Sequence, residues 1–276
     1  MQAINKIKGF TDLFAPESDK YTFIEQTAKQ VFARYGCQEL RTPILEKTEL
    51  FSRSIGGDTD IVQKEMYTFA DRKKRSLTLR PEATAGVVRA YIENRIHALE
   101  NTSKLFSTGP MFRYERPQKG RLRQFHQVNV EILGPYAAQA DAELLLMLWV
   151  FLRELGLSHL SLEINSLGCP KCRPDFHAAL KSYLQTIDQN ALCSDCLRRS
   201  LSNPLRVLDC KVDQCQKVLA DVPEIKDHLC TACKNHFETV LSLMESAQVP
   251  CLINPKLVRG LDYYQRTTFE VLSSDI

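Results

Sequence analysis

Arg113, Glu115, Gln127, Asn129 and Glu131 stand at alternate positions on either side of a basic stretch containing Arg116, Lys119, Arg121 and Arg123. Alternate residues of a β-strand share one face. Residues 109–131 therefore read as a hairpin with a turn around Pro117 and Gly120. Met111, Arg113 and Glu115 would share one face of the first strand, with Phe112 and Tyr114 on the other. On the return strand Gln127, Asn129 and Glu131 would line one face, opposite Val128, Val130 and Ile132. A face so polar is costly to bury unless a ligand pairs with it. It suits a small zwitterionic or phosphorylated ligand, with the cationic tip gripping further phosphate. A solvated edge hairpin is the alternative.

A second set of chemistry-bearing residues lies between positions 165 and 239. Eight of the ten cysteines fall there: Cys169 with Cys172, Cys193 with Cys196, Cys210 with Cys215, and Cys230 with Cys233. Cys-x-x-Cys knuckles let two sulfurs reach one tetrahedral zinc ion. Eight thiolates suit two four-cysteine sites, or one site with spare thiols. Lys171, Arg173, Arg198, Lys211 and Lys234 are close in sequence and can offset the negative charge of such a site. Reduced free thiols or a redox pair are the alternatives. His177, His228 and His236 could replace a cysteine ligand but read as surface histidines, and Cys37 and Cys251 as small hydrophobes.

Two shorter motifs add polar groups. Leu79-Arg-Pro-Glu-Ala-Thr-Ala-Gly86 predicts a strand ending at Arg80 and a helix starting near Pro81, with Glu82 and Thr84 in its first turn. A carboxylate and a hydroxyl placed there can receive an amino group, or simply cap the helix. In Val258-Arg-Gly-Leu-Asp-Tyr-Tyr264 the arginine can neutralise developing phosphate charge, and a tyrosine hydroxyl can recognise a polar ring.

The elements that must position these groups follow from spacing. A helix capped by Ser18 or Asp19 runs to Tyr35 and stops at Gly36. Residues 39–45 are extended and interrupted by Pro43, which places them at a sheet edge or a subunit boundary. Residues 51–57 lead into a polar loop. Strands 66–69 and 76–79 flank a solvated charged turn. Helices follow at 82–95 and 138–155, then strands at 160–164 and 266–272.

Composition narrows the class. The 276 residues have room for about two domains. With 44% hydrophobic and 25% charged residues, the chain is that of an ordinary globular protein. A net charge of only +3 means that any basic surface is local. The longest apolar run, nine residues at 144–152, is too short to span a bilayer, and the N-terminus lacks a signal-peptide core. A cytosolic location is expected, in which cysteines favour metal over disulfides.

Taken together, the chain resembles the histidyl members of the class II aminoacyl-tRNA synthetases. Arg41-Thr-Pro43 looks like motif 1, Phe112-Arg-Tyr-Glu115 through Glu131 like motif 2, and residues 258–264 like the histidyl signature peptide. The resemblance implies an α+β fold, with an antiparallel sheet flanked by helices. The catalytic core would span 1–165 and 240–276, around a small, mainly helical Cys-rich insertion at 166–239. It implies ATP with Mg2+ as co-substrate, L-histidine and tRNA(His) as partners, and a homodimer built through motif 1. Glu82, Ala83, Thr84, Gln127, Glu131, Tyr263 and Tyr264 would bind histidine, Ala83 standing where the family often has glycine. Arg113, Glu115, Arg121 and Arg123 would bind ATP, while Arg113 and Arg259 would stabilise the transition state. Arg116 and Gln118 would face the tRNA acceptor end. The family does not require the cysteines, so zinc rests on their spacing alone. The third class II motif and an anticodon-binding domain are not found, so the chain reads as the front of a synthetase. The alternatives are the synthetase-like regulatory subunit of ATP phosphoribosyltransferase and a zinc-stabilised tRNA-binding module.

Overall fold

The computed structural model describes residues 3–57, 59–118, 120–259 and 264–274. It divides into two compact units, 1–136 with 147–156, and 137–146 with 157–276.

In the first unit, α1 (Glu17–Arg34) buries Thr27, Ala28, Val31 and Phe32, the spacing of one helical face. Its N-cap is Pro16 with no side-chain cap, so Ser18 and Asp19 lie in the first turn, where Asp19 can act only on the helix dipole. Gly36, at φ +76, ends the helix as expected. Next come β1 (Gln38–Glu39), β2 (Leu45–Lys47) and α2 (Thr48–Ile55). Pro43 thus separates two short strands that belong to different sheets. The α2 helix, which buries Phe51 and Ile55, occupies positions that read as the approach to a loop. A single π-turn (Ile61–Glu65) leads to the hairpin of β3 (Tyr67–Ala70) and β4 (Ser76–Leu79), and then to α3 (Thr84–Glu93).

The long hairpin is β5 (Ser103–Phe112) and β6 (Gln124–Leu133), paired from Ser103↔Leu133 to Phe112↔Gln124. One face carries Phe106, Val128 and Val130, packed against Phe32 of α1 and against Met147 and Phe151. The opposite face carries Ser107, Gly109, Gln127, Asn129 and Glu131. This division is forced by the register, because a one-residue slip would bury the charged set in the apolar cluster. Contrary to the period-2 expectation, β5 ends at Phe112. The Arg113 N–H still donates to Arg123 O at 2.9 Å, but the Arg123 N–H turns to Gly9 O at 2.8 Å. The leading segment thus takes the partner that a longer strand would need, and Arg113 and Glu115 leave the ladder.

Arg80 supports this hairpin from behind. It is 6% exposed, and its guanidinium donates to Pro110 O (2.9 Å), Thr42 O (2.9 Å) and Thr42 Oγ1 (3.1 Å). A Cβ on Gly109, at φ +146, would lie 2.6 Å from Arg80 Nη2, so glycine permits this approach.

The second unit contains the first part of α4 (Ala138–Glu154), β7 (Leu160–Ser166), α5 (Arg173–Thr186), α6 (Ser194–Ser202) and α7 (Asp213–Val218). It continues with α8 (Thr231–Ser246), β8 (Cys251–Ile253) and β9 (Thr267–Ser273). The sheet order is β8-β7-β9, with β7 parallel to β8 and antiparallel to β9. Residues between β7 and α8 form short helices around Phe176, Leu180, Leu184, Val207 and Ile225. The protein is α+β. Its sheets are mainly antiparallel, with parallel pairs at β1–β5 and β7–β8.

Candidate active site

The polar face of the β5–β6 hairpin meets the N-terminus of α3. Glu82 is 5% exposed, and its carboxylate accepts the N–H groups of Thr84 (2.7 Å) and Ala85 (2.9 Å). It therefore caps α3, yet each oxygen retains a lone pair for a ligand. Burial pushes its carboxyl pKa up, opposed by those two amides and by Arg113. The Thr84 side chain lowers the pKa of both the Glu82 and Glu131 carboxyls, in part offsetting their burial. Asn129 Nδ2 donates to Glu131 Oε1 at 3.0 Å. Gln127 Oε1 and Ser107 Oγ are buried and have no hydrogen-bond partner in the protein. A buried polar atom left unpaired costs roughly 1–3 kcal/mol. With two carboxylates and one nearby guanidinium, this face has net negative charge and suits a cationic group.

Burial pushes the Glu131 carboxyl up as well; hydrogen bonds from Thr84 and Asn129 oppose this, and the Glu82 charge adds to it. A carboxyl with a raised folded pKa holds its proton where the unfolded chain has released it. Its stability contribution is present below the unfolded value of about 4.3 and is lost as pH rises through the folded value. Glu131→Gln, a neutral isostere, should therefore raise the Tm of the ligand-free protein at pH 7 by roughly 2–4 °C. The advantage should shrink as pH falls towards 4 in scanning calorimetry.

The motif 2-like arginines are already engaged. Arg113 Nε donates to Pro81 O at 2.9 Å, and the guanidinium lies 5.1 Å from the Phe125 ring centroid. Glu115 faces Arg121 at 3.4 Å, and Arg123 stacks 3.9 Å from the Tyr114 ring centroid. Arg116 and Gln118 are exposed near the hairpin tip. In the second unit Arg259 faces Glu270 at 3.7 Å. Tyr264 packs against the apolar cluster of Phe176, Leu180 and Val207, while Tyr263 lies outside the described residues. Sequence spacing alone passed over Ser107 and the supporting role of Arg80. It also passed over Glu65, whose carboxyl is pushed up by burial and by Glu115. Glu65 closes the π-turn, a local form frequent at functional sites.

The eight cysteines form two groups, Cys169/Cys172/Cys230/Cys233 and Cys193/Cys196/Cys210/Cys215, and within each the sulfurs lie within 4.8 Å of one another. Two zinc–sulfur bonds of about 2.3 Å at a tetrahedral angle separate the sulfurs by about 3.8 Å. The Cys169–Cys172, Cys169–Cys230 and Cys193–Cys210 separations are 3.6, 3.9 and 3.9 Å. Backbone N–H groups of Cys230 and Cys193 point at Cys172 Sγ (3.1 Å) and Cys215 Sγ (3.2 Å). Amides hold Cys169 at about 6 and Cys193 at about 7, whereas burial and neighbouring thiols push Cys196 and Cys233 up. Four thiolates this close need a cation to ionise together, so the donor sets fit zinc. The histidines do not behave as surface residues. The His236 side chain is 8% exposed and faces Asp141 at 3.6 Å, His177 Nε2 is buried without a partner, and His228 packs on Phe176.

A profile described as histidyl-tRNA synthetase matches residues 9–276. The chain belongs to the histidyl-tRNA synthetase family. It is 63% identical to the histidine--tRNA ligase of Oleidesulfovibrio alaskensis over 276 residues, and 64% identical to that of Nitratidesulfovibrio vulgaris over the same length. Each alignment covers all of this chain and 66% of the relative, so the chain spans just under two thirds of those curated proteins. Among solved structures, apo histidyl-tRNA synthetase from S. aureus matches with a TM-score of 0.76 at 36% identity, covering 98% of this chain and 61% of that one. A Bacillus halodurans structure described as an ATP phosphoribosyltransferase regulatory subunit/histidyl-tRNA synthetase shares the fold, with a TM-score of 0.70 at 17% identity. It covers all of this chain and 74% of that one.

Proposed function

We propose that this synthetase-family chain activates L-histidine with ATP and transfers the histidyl group to tRNA(His). A histidine carboxylate oxygen attacks the α-phosphorus, the bond to the β-phosphate oxygen breaks, and pyrophosphate leaves. A hydroxyl of the terminal tRNA ribose then attacks the acyl carbon, and AMP leaves. The observation that carries this reading is the acidic face of the buried Glu82 and the half-buried Glu131, with the unpaired Gln127 Oε1 and Ser107 Oγ beside it. Glu82 and Thr84, beside Ala83, receive the α-ammonium; Gln127 serves the amino and carboxylate groups. Glu131, with Tyr263 and Tyr264, reads the imidazole, whose one donor and one acceptor separate it from apolar side chains.

Arg113 holds the α-phosphate, and Arg259 stabilises the charge that grows on its oxygens. Glu115, Arg121 and Arg123 serve the outer phosphates of a MgATP substrate, whose metal neutralises phosphate charge. Arg116 and Gln118, exposed at the hairpin tip, meet the acceptor end of tRNA. Exposed Ile44 and Leu45 beside Arg41-Thr-Pro43 support a homodimer through that segment. None of the ten cysteines is disulfide-bonded, and no described helix is long and apolar enough to cross a membrane. A regulatory subunit without aminoacylation would not need this charged set. Amino-acid-dependent ATP–pyrophosphate exchange on the intact protein tests the proposal: histidine alone should support exchange, and its failure to do so contradicts the assignment.

Zinc would be held by each cysteine group as a structural ion in the insertion at 166–239. Apparent binding free energies of structural zinc are about 10–16 kcal/mol, enough to decide whether a small subdomain folds. Metal analysis should find two zinc ions per chain, and Cys215→Ser should reduce that to one.

A further inference from the structure

The leading segment of the first unit lies against the cationic end of the β5–β6 hairpin. The Phe10 N–H donates to Ile7 O at 3.1 Å, closing a turn around Gly9. Gly9 O accepts two consecutive amides of the return strand, from Arg123 (2.8 Å) and Gln124 (3.2 Å). The approach is close. Gly9 has φ +89, and a Cβ there would lie 2.7 Å from Arg123 Cγ and 2.9 Å from its Cβ and Cδ. Glycine is what lets the Arg123 stem lie on this backbone.

Aromatic rings fix the rest of the arginine. Phe10 lies 6.4 Å from Phe112 between centroids and meets Tyr67 edge-on at 6.1 Å; Tyr67 in turn meets Tyr114 edge-on at 5.5 Å. The Tyr114 N–H donates to Glu65 O at 2.7 Å, which anchors the last ring to the π-turn. The Arg123 guanidinium lies 3.9 Å from that ring, and its Nε donates to Glu115 O at 3.2 Å. Backbone, stem and head of Arg123 thus each have a partner before any ligand arrives. Nε uses one of the five donors of a guanidinium, so donors remain for phosphate oxygens. Arg121 differs: its side chain is 66% exposed and faces Glu115 at 3.4 Å.

We propose that Gly9 is a positioning residue that seats Arg123 for the outer phosphates of the nucleotide, which makes the leading segment part of the ATP site. This rests on the assignment of Arg123 to those phosphates. A guanidinium already held by Gly9 and Tyr114 loses little freedom when phosphate binds, whereas a long unrestrained side chain loses much. The gain is confined to ligands that carry β- and γ-phosphates. AMP, with its α-phosphate alone, does not sense it.

The test titrates the intact protein, Arg123→Ala, Gly9→Ala and the double variant with ATP and with AMP in the presence of Mg2+. Arg123→Ala should bind ATP about tenfold more weakly, the loss of one charge-assisted contact, and AMP less than about threefold more weakly. Gly9→Ala removes no charge and no donor, yet it should show the same selective loss. Adding it to Arg123→Ala should change ATP affinity little further, because a residue that acts through Arg123 then has nothing to act on. Tyr114→Leu, which takes the ring from beneath the guanidinium, should behave like Gly9→Ala and decides the matter if that variant fails to fold. Equal losses for ATP and AMP, the mark of general structural support, would overturn the positioning role. So would wild-type ATP affinity in folded Gly9→Ala, or losses that add in the double variant. Wild-type ATP affinity in Arg123→Ala would overturn the assignment of Arg123 itself, and the role of Gly9 with it.

Discussion

Arg113→Ala is expected to lower histidine-dependent pyrophosphate exchange by about 10²–10³-fold, the loss typical of removing one prepositioned transition-state contact. The Pro81 carbonyl and the Phe125 ring fix this guanidinium before substrate arrives, so reorganisation contributes little cost at the reacting phosphorus. Histidine affinity should fall by less than about tenfold, because charge on the phosphate oxygens grows mainly at the transition state. Some loss is expected, since Arg113 helps keep the buried Glu82 ionised. Arg113→Lys should not restore the rate: an ammonium cannot reproduce the planar fork that holds Pro81 O and a phosphate together. Single-turnover adenylation alongside equilibrium titration separates the two effects.

Glu82→Ala should weaken histidine binding by about 10²-fold or more, as expected when a buried charge loses its partner. The same change removes the acceptor for two amides at the start of α3, with an expected stability cost of about 1 kcal/mol. The two roles separate in Glu82→Gln, which retains a carbonyl acceptor for one of the two amides but not the charge. Its Tm should lie between those of the wild type and Glu82→Ala while histidine affinity remains low. Recovered affinity in Glu82→Gln would mean that Glu82 serves only as a helix cap.

The hairpin was legible in the sequence because its two faces differ so sharply that only one register keeps Glu131 away from Phe106 and Phe32. Its end was not legible. The ladder stops at Phe112 because Gly9, more than a hundred positions away, takes the Arg123 amide, and local alternation holds no trace of such a contact. Helix α2 escaped notice because Phe51 and Ile55 supply only one i,i+4 repeat in eight residues. Cysteine spacing identified the knuckles but not their partners. Pairing the first knuckle with the fourth depends on Cys172 and Cys230, which precede α5 and α8, coming together in the fold, and the second knuckle meets Cys210 and Cys215. Ser107 reads as an ordinary strand residue until the register sets it opposite Asn129 with a buried, unpaired hydroxyl.

The central claim, that the acidic hairpin face selects histidine, is tested most directly by calorimetric titration of the intact, zinc-loaded protein with L-histidine, using leucine and glutamine as controls. Saturable binding of histidine alone, abolished in Glu131→Ala, is the predicted result. A folded, zinc-loaded protein that binds no histidine, or binds all three amino acids alike, would contradict it.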